Sequence, residues 1–350
     1  MPFEPDSSRT ADVLPFHRNL EPADVLVTGA SGFLGREIVH QLCDAGLSVR
    51  GLARSWTSES APANVDRQSG DITDASSVER AVRGVRTVIH CAGLAHQFGK
   101  CAANTDAFQR VNVQGTESVV RAAVKGGVEH VVLVSSVSVY GGGTQPTTES
   151  SPCRPTDPYG ISKYQAECVA TGIAQTAGIG LTILRMATIF GEGDPGNIAR
   201  LMRSIDAGRF VWIGSGTNRK SLIYRGDAAR ACVVAATTQP AKKSNGNTYN
   251  ISLPAVTVAR IVESISIGLG RTTPRWYIPA PLVRTVGGGL TICTAGRGPF
   301  ARLNRTIRKW LSDDIYAGEQ FERDYQFHPE VSVEEGLWRA AAWYRHSKAA

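Results

Sequence analysis

No stretch of the 350-residue chain approaches the ~20 consecutive apolar residues that a membrane-spanning helix needs, so stable membrane insertion is not expected. Cysteine is sparse and unpatterned. The seven residues (Cys43, Cys91, Cys101, Cys153, Cys168, Cys232 and Cys293) are odd in number and include no Cys-x-x-Cys pair. Neither a disulfide framework nor a structural zinc site is expected, no metal is assigned, and most of the cysteines read as small core residues. The polar start, Met1 to Asn19, lacks the apolar segment of a secretory signal, which predicts a soluble, cytoplasmic protein. Runs of five or more like charges are also missing, as is any nucleic-acid-binding module. The net charge of +7 therefore points to an anionic metabolite and away from nucleic acid.

What is present suits a large globular chain. A hydrophobic fraction of 42% is ample for a core and excludes disorder over most of the length. The length predicts one large domain with an annex, or two domains. From Asp24 onward, short β-branched runs alternate with amphipathic helical stretches. Strands are expected at Asp24–Thr28, Leu47–Ala53, Val65–Ser69, Arg86–His90, Glu129–Ser135 and Leu181–Met186. Helices are expected at Phe33–Ala45, near Ala107–Lys125 and at Tyr159–Thr176. That rhythm implies βαβ crossovers and a doubly wound parallel α/β sheet, with ligands at the carboxyl ends of its strands. After Met186 the rhythm breaks into loops, helices and isolated strands such as Ser221–Tyr224 and Thr248–Ile251. The expected organisation is a flexible tail over 1–22, a dinucleotide-binding domain over 23–186 and a smaller, mainly substrate-binding lobe over 187–350. Gly287 to Arg302 is Gly-rich and ambiguous.

Thr28-Gly-Ala-Ser-Gly-Phe-Leu-Gly35 stands where the first strand turns into the first helix. Glycines at 29, 32 and 35 let the backbone approach a pyrophosphate, and the helix amino terminus offers amide donors to it. Gly29, Ser31, Gly32, Phe33, Leu34 and Gly35 are therefore candidate contacts for a dinucleotide. The acidic residue that commonly ends the second strand is replaced by Ala53, followed by Arg54. A guanidinium in place of a carboxylate favours a 2′-phosphate, hence NADP(H) over NAD(H); the alternative makes Arg54 a solvated surface residue. Asp71-Ile72 suits an adenine-edge contact, unless Asp71 caps the helix beginning near Asp74.

Asp157-Pro-Tyr-Gly-Ile-Ser-Lys163 sets Tyr159 and Lys163 four residues apart on one helical face. A phenol is a poor base at neutral pH; a neighbouring ammonium, with a nicotinamide cation, is expected to lower its pKa. Lys163 also suits the nicotinamide ribose. Upstream, Val134-Ser-Ser-Val-Ser-Val-Tyr-Gly141 ends a strand at the same edge, and Ser136 is placed to bond the reacting oxygen.

The glycine loop, the serine strand end and the Tyr-x-x-x-Lys pair, in that order, resemble the extended short-chain dehydrogenase/reductase superfamily. The sugar-nucleotide epimerase/dehydratase/reductase branch fits best. The resemblance implies a Rossmann-type fold, a catalytic Ser136–Tyr159–Lys163 triad, cofactor contacts at Ala92-Gly93, and a functional Asn112, whose alternative is a helix-bending or water-binding role. It implies a nucleotide-sugar substrate whose diphosphate meets Asn197, Arg219 and Lys220, and a possible homodimer. Asn197 is equally suited to capping the following helix, and Arg219 and Lys220 to a solvated loop. Dehydratases of the family carry an Asp-Glu pair where this chain has Val137 and Ser138, so dehydration is not expected. Thr188 stands where sugar epimerases carry asparagine. Two outcomes stay open: reduction of a UDP-4-keto-6-deoxy-hexosamine, slightly favoured, and 4-epimerisation of a UDP-hexose or UDP-N-acetylhexosamine. A steroid or alcohol dehydrogenase and a non-catalytic NADP sensor are further alternatives.

Overall fold

The computed structural model describes residues 25–57, 62–94, 105–142, 146–239, 247–278 and 311–349. The expected tail, the stretch Gly287–Arg302, Cys101 and Cys293 lie outside the described residues. Along the first half of the chain the order is β1 (Val25–Thr28), α1 (Phe33–Asp44), β2 (Val49–Ala53), β3 (Asp66–Ser69), α2 (Ala75–Val82) and β4 (Thr87–His90). There follow α3 (Thr105–Phe108), a π-helical turn at Gln109–Gln114, α4 (Gly115–Lys125), β5 (His130–Ser136), α5 (Pro158–Ala177) and β6 (Gly180–Met186).

All pairings in the main sheet are parallel, in the order Thr248–Ile251, β6, β5, β4, β1, β2, β3. The strand order reverses between β1 and β4, and a reversal of this kind opens a crevice at the strands' carboxyl ends. Alternation along β1 shows why the sheet needs two covering layers. Val25 and Val27 pack into one core with Ile38, Val39 and Leu42 of α1, whereas Leu26 packs into the other with Val78, Val119 and Val120.

Helix starts follow local chemistry. Asp157 accepts the Gly160 amide at 3.0 Å and Pro158 opens α5, where its missing N–H costs nothing. Asp74 caps α2 by accepting from Ser76 N. Asp71 instead accepts from Thr73 N and Oγ1, both at 2.9 Å, so it closes its own turn and does not cap that helix.

The sequence rhythm misplaces one strand. Thr248–Ile251 is not isolated: it pairs with β6 and forms an edge of the main sheet. The helix Arg225–Thr237 packs on α1, so chain beyond residue 186 returns to the sheet layer. Such pairing across roughly 60 residues leaves no local sequence signature. The shorter strands Thr188–Phe190 and Leu222–Tyr224 pair with each other outside that sheet. The expected continuous helix near Ala107–Lys125 is also interrupted by the π-helical turn. Of the five described cysteines, Cys232 is buried in the core, Cys43, Cys91 and Cys153 are partly buried and pack against core clusters, and Cys168 is exposed. Among the described residues, no helix is long and apolar enough to cross a membrane.

Ile89 is fully buried in β4 between β1 and β5. Ile89→Ala is expected to lower unfolding stability by about 2–5 kcal/mol, read from the urea midpoint at unchanged m-value.

Candidate active site

Close approach of backbone to backbone builds the first part of the site. Gly29 takes φ 71°, and its amide donates to Leu52 O at 2.8 Å, tying the loop to β2. A Cβ at Gly29 would stand 2.8 Å from the Ala92 backbone, and one at Gly35 would collide with the Gly29 carbonyl. The loop therefore excludes side chains at the positions where a pyrophosphate needs backbone contact. Helix α1 begins after Gly32 with no side-chain cap and no acidic residue in its first turn, which leaves its positive end available to an anion. These features fit a dinucleotide. Arg54 is exposed beyond the end of β2, and Asp71-Ile72 follows β3, so both continue the same carboxyl edge. The buried Ile72 packs where a Cβ of Gly115 would fall.

A series of hydrogen bonds links this loop to α5. Thr28 Oγ1 accepts from Ala92 N at 3.3 Å and pairs with His90 Nδ1 at 2.7 Å. His90 Nε2 pairs with Thr116 Oγ1 at 3.0 Å, and Thr116 Oγ1 donates to Asn112 O at 2.6 Å. Because Thr116 spends its proton on Asn112, it accepts from His90; the imidazole is assigned as the Nε2–H tautomer, accepting from Thr28 at Nδ1. Burial, then the nearby Lys163 charge, push the His90 pKa down to about 3, so it is neutral at working pH.

Asn112 lies in the π-helical turn, a geometry enriched at functional sites. Its Oδ1 accepts from Leu94 N at 2.8 Å, and its Nδ2 donates to Leu94 O at 3.1 Å and Ser162 Oγ at 3.0 Å. It thereby fastens the segment after β4 to α5. A Cβ on Gly93 would stand 3.1 Å from its Oδ1, which accounts for that glycine.

Ser136 ends β5, where its Oγ accepts from Ser138 N at 3.2 Å, and its hydroxyl hydrogen-bonds Tyr159. The Phe108 ring stands 6.0 Å from the Tyr159 ring, centroid to centroid. Lys163 is buried, and its Nζ donates to Val134 O at 2.6 Å. Without a cofactor, burial dominates at the phenol. Burial raises the Tyr159 pKa above its ordinary value and outweighs the bond from Ser136, which lowers it; Asp157 and Cys91 raise it further. The Lys163 ammonium is turned to the Val134 carbonyl, and burial lowers its own pKa. In this state Tyr159 is a protonated phenol, suited to giving a proton.

The residues expected to meet a diphosphate lie in the second half of the chain. Asn197 is the first residue of the helix Asn197–Asp206 and not its cap. Asp194 performs that role, accepting Gly196 N at 2.6 Å and Ala199 N at 3.0 Å. Arg219-Lys220 forms a two-residue strand against Val256-Thr257. Lys220 Nζ lies 2.6 Å from Asp314 Oδ2, so its charge is paired, while Arg219 is exposed and donates to Ala255 O at 3.1 Å. Thr188 is exposed at the start of its short strand.

Sequence reasoning passed over a buried set that includes Glu167, Arg185 and Tyr140. One signal was available: Arg185 stands between Leu184 and Met186 in a buried strand, and a charge in that setting requires a partner.

The family model for the NAD dependent epimerase/dehydratase family matches residues 25–252. The N-acetyl-alpha-D-glucosaminyl-diphospho-ditrans,octacis-undecaprenol 4-epimerase of Escherichia coli O157:H7 is 32% identical over 262 residues, 74% of this chain and 76% of that protein. A 2-alkyl-3-oxoalkanoate reductase of Stenotrophomonas maltophilia (strain K279a) is 29% identical over 345 residues, 91% of this chain and 98% of that one. Among solved structures, MoeE5 in complex with UDP-glucose and NAD superposes with a TM-score of 0.71 at 26% identity, covering 93% of this chain and 99% of that chain.

Two outcomes follow from this geometry. Gly35→Ala should weaken dinucleotide binding at least tenfold in calorimetric titration, since the loop must open to admit the methyl group. The depressed His90 pKa means that the unfolded chain binds the proton more readily. Stability should therefore fall as pH drops from about 6.5 toward 3, by up to about 1.4 kcal/mol per pH unit from this residue. Denaturant unfolding at several pH values should show a shallower slope in His90→Gln.

Proposed function

The chain belongs to the NAD dependent epimerase/dehydratase family and is an NAD(P)-dependent enzyme of the oxidoreductase/epimerase type. From that premise we propose that it transfers hydride at C4 of a nucleotide-diphosphate sugar. The observation that carries this reading is the Ser136–Tyr159 hydroxyl pair beside a buried lysine, at the carboxyl edge of a sheet with a side-chain-free glycine loop. Gly29 to Gly35 and the open end of α1 would hold the cofactor's pyrophosphate, and Ala92-Gly93 would flank it. A nicotinamide bound there supplies the acceptor and donor of hydride. Tyr159 Oη gives a proton to the C4 oxygen on reduction and removes it on oxidation, while Ser136 Oγ orients that oxygen. The Lys163 ammonium favours the phenolate once the proton has left.

The first reading is a reductase of a UDP-4-keto-6-deoxy-hexosamine that uses NADPH. The supporting feature is Ala53-Arg54: a buried alanine where a ribose-binding carboxylate would stand, then an exposed guanidinium suited to a 2′-phosphate. The second reading, a 4-epimerase, is favoured by the Escherichia coli relative, named as a 4-epimerase of a sugar joined through a diphosphate to a polyprenol. Both act on a sugar diphosphate. Arg219 and Asn197 are the side chains proposed to meet it, with Lys220 shared with Asp314.

Absorbance of NADPH, followed with a UDP-4-keto-6-deoxy-hexosamine, separates the readings when run beside an NMR assay for epimerised UDP-N-acetylglucosamine. Net oxidation identifies the reductase, and isomerisation without it the epimerase. Indifference of turnover to added UDP would point instead to an apolar carbonyl substrate. Tyr159→Phe should lower kcat by about 10²–10⁴-fold with cofactor affinity nearly unchanged. Undiminished turnover in that variant would remove the proton-transfer role.

A further inference from the structure

Beneath the candidate triad lies a buried ionic assembly. The Glu167 and Arg185 side chains are only 4% and 9% exposed. Arg185 donates to Glu167 from Nε at 3.1 and 3.2 Å and from Nη2 at 2.7 Å. The remaining Arg185 nitrogen, Nη1, donates to Tyr140 Oη at 2.8 Å, and Tyr140 donates to Asn250 Oδ1 at 2.8 Å. On the other side, Ser135 Oγ donates to Glu167 Oε1 at 2.5 Å. One carboxylate therefore joins α5, β5 and β6.

Placement argues for more than cohesion. A buried ion pair is weak evidence for stability, because a well-packed apolar pair of similar volume often does as well. Glu167 follows Lys163 by four residues and so shares its helical face. Lys163 is bonded to Val134, Glu167 to Ser135, and the next residue is Ser136. Three consecutive residues of β5 are thus engaged by α5 or by the triad.

We propose that Glu167 is a positioning residue. It locks α5 onto β5 and β6 so that the Lys163 ammonium and the Ser136 hydroxyl stand together, and it keeps an anion one helical turn from that ammonium. The inference rests on the proposed function only for the task given to Lys163. Burial alone drives Lys163 toward its neutral form, and two groups oppose this, Cys91 at the end of β4 and Glu167. Burial holds the Cys91 thiol up at about 12, so it is uncharged at working pH. His90, also on β4, is neutral, and Tyr159 is protonated. On the far side, Glu167 faces Arg185 of β6, with Cys153 close to both. Among these groups, Glu167 supplies the negative charge that holds a proton on Lys163.

The test is a direct titration of Lys163 in the full-length protein without cofactor or substrate. With only eight lysines in the chain, side-chain ¹³Cε signals of labelled lysine are few, and the one lost in Lys163→Met identifies the residue. In Glu167→Gln the Lys163 midpoint should fall by about one pH unit or more, a tenfold change in its acid constant. The Lys125 and Lys348 midpoints should not move, and Glu167→Asp should recover part of the shift. If Glu167→Gln does not fold, the double variant Glu167→Gln/Arg185→Met leaves no unpaired charge and should show the same direction. An unchanged Lys163 midpoint in either folded variant would overturn the proposal. Because the readout needs no turnover, a failed assay for hydride transfer leaves this measurement standing, and the converse also holds.

Discussion

A charged amine taken out of water must find compensation, and around Lys163 the site is organised to provide it. The ammonium is buried against β4 and β5, donates to a strand carbonyl, and has a carboxylate one turn away on its own helix. Those demands fix the depth and rotation of α5, and with them the position of Tyr159. Ser136 then meets the phenol because β5 is pinned at the two residues before it. The candidate triad is therefore less a set of three side chains than one end of a helix–strand seam whose interior is ionic.

The amino-terminal half was legible because its signals are local. A β-branched run, a glycine turn and an Asp-Pro helix opening each lie within a few residues, and apart from the helix near Ala107–Lys125, which the π-helical turn interrupts, the elements formed within about two positions of where those residues placed them. What escaped has partners far away in sequence. Thr248–Ile251 becomes a sheet edge only by meeting β6, and His90 is explained only by Thr28 and Thr116. The surroundings of the phenol were hidden for a related reason: spacing shows that an ammonium is near, but not which way it turns or how dry the pocket is. Desolvation, which dominates Tyr159, is a property of the folded surroundings.

The second half of the chain holds two proposed basic contacts that differ in their surroundings. Its one buried-side cation in the expected substrate strand, Lys220, already has a carboxylate in Asp314, and Arg219 lies at the surface. A point charge that is paired binds an incoming anion only by sharing or exchanging its partner, whereas an exposed guanidinium can take a phosphate in a fork. Of these two proposed contacts, Arg219 is the better suited to a diphosphate. Relatives named for a sugar diphosphate and for a 2-alkyl-3-oxoalkanoate both match this chain, so the shared scaffold alone does not fix a substrate.

The π-helical turn at Gln109–Gln114 holds one residue more per hydrogen-bonded loop than the α-helix into which it runs. Removing a single residue there would let the segment relax into regular α-helix with its flanks still in phase, and only the widened turn itself would be lost. Asn112, which sits within that turn, would then lose the placement that lets it bond both Leu94 and Ser162, while the apolar face of α4 stays where it is. The turn is thus a stored insertion: one extra residue spent on the placement of a single buried amide, at no cost to the packing of the helix on either side.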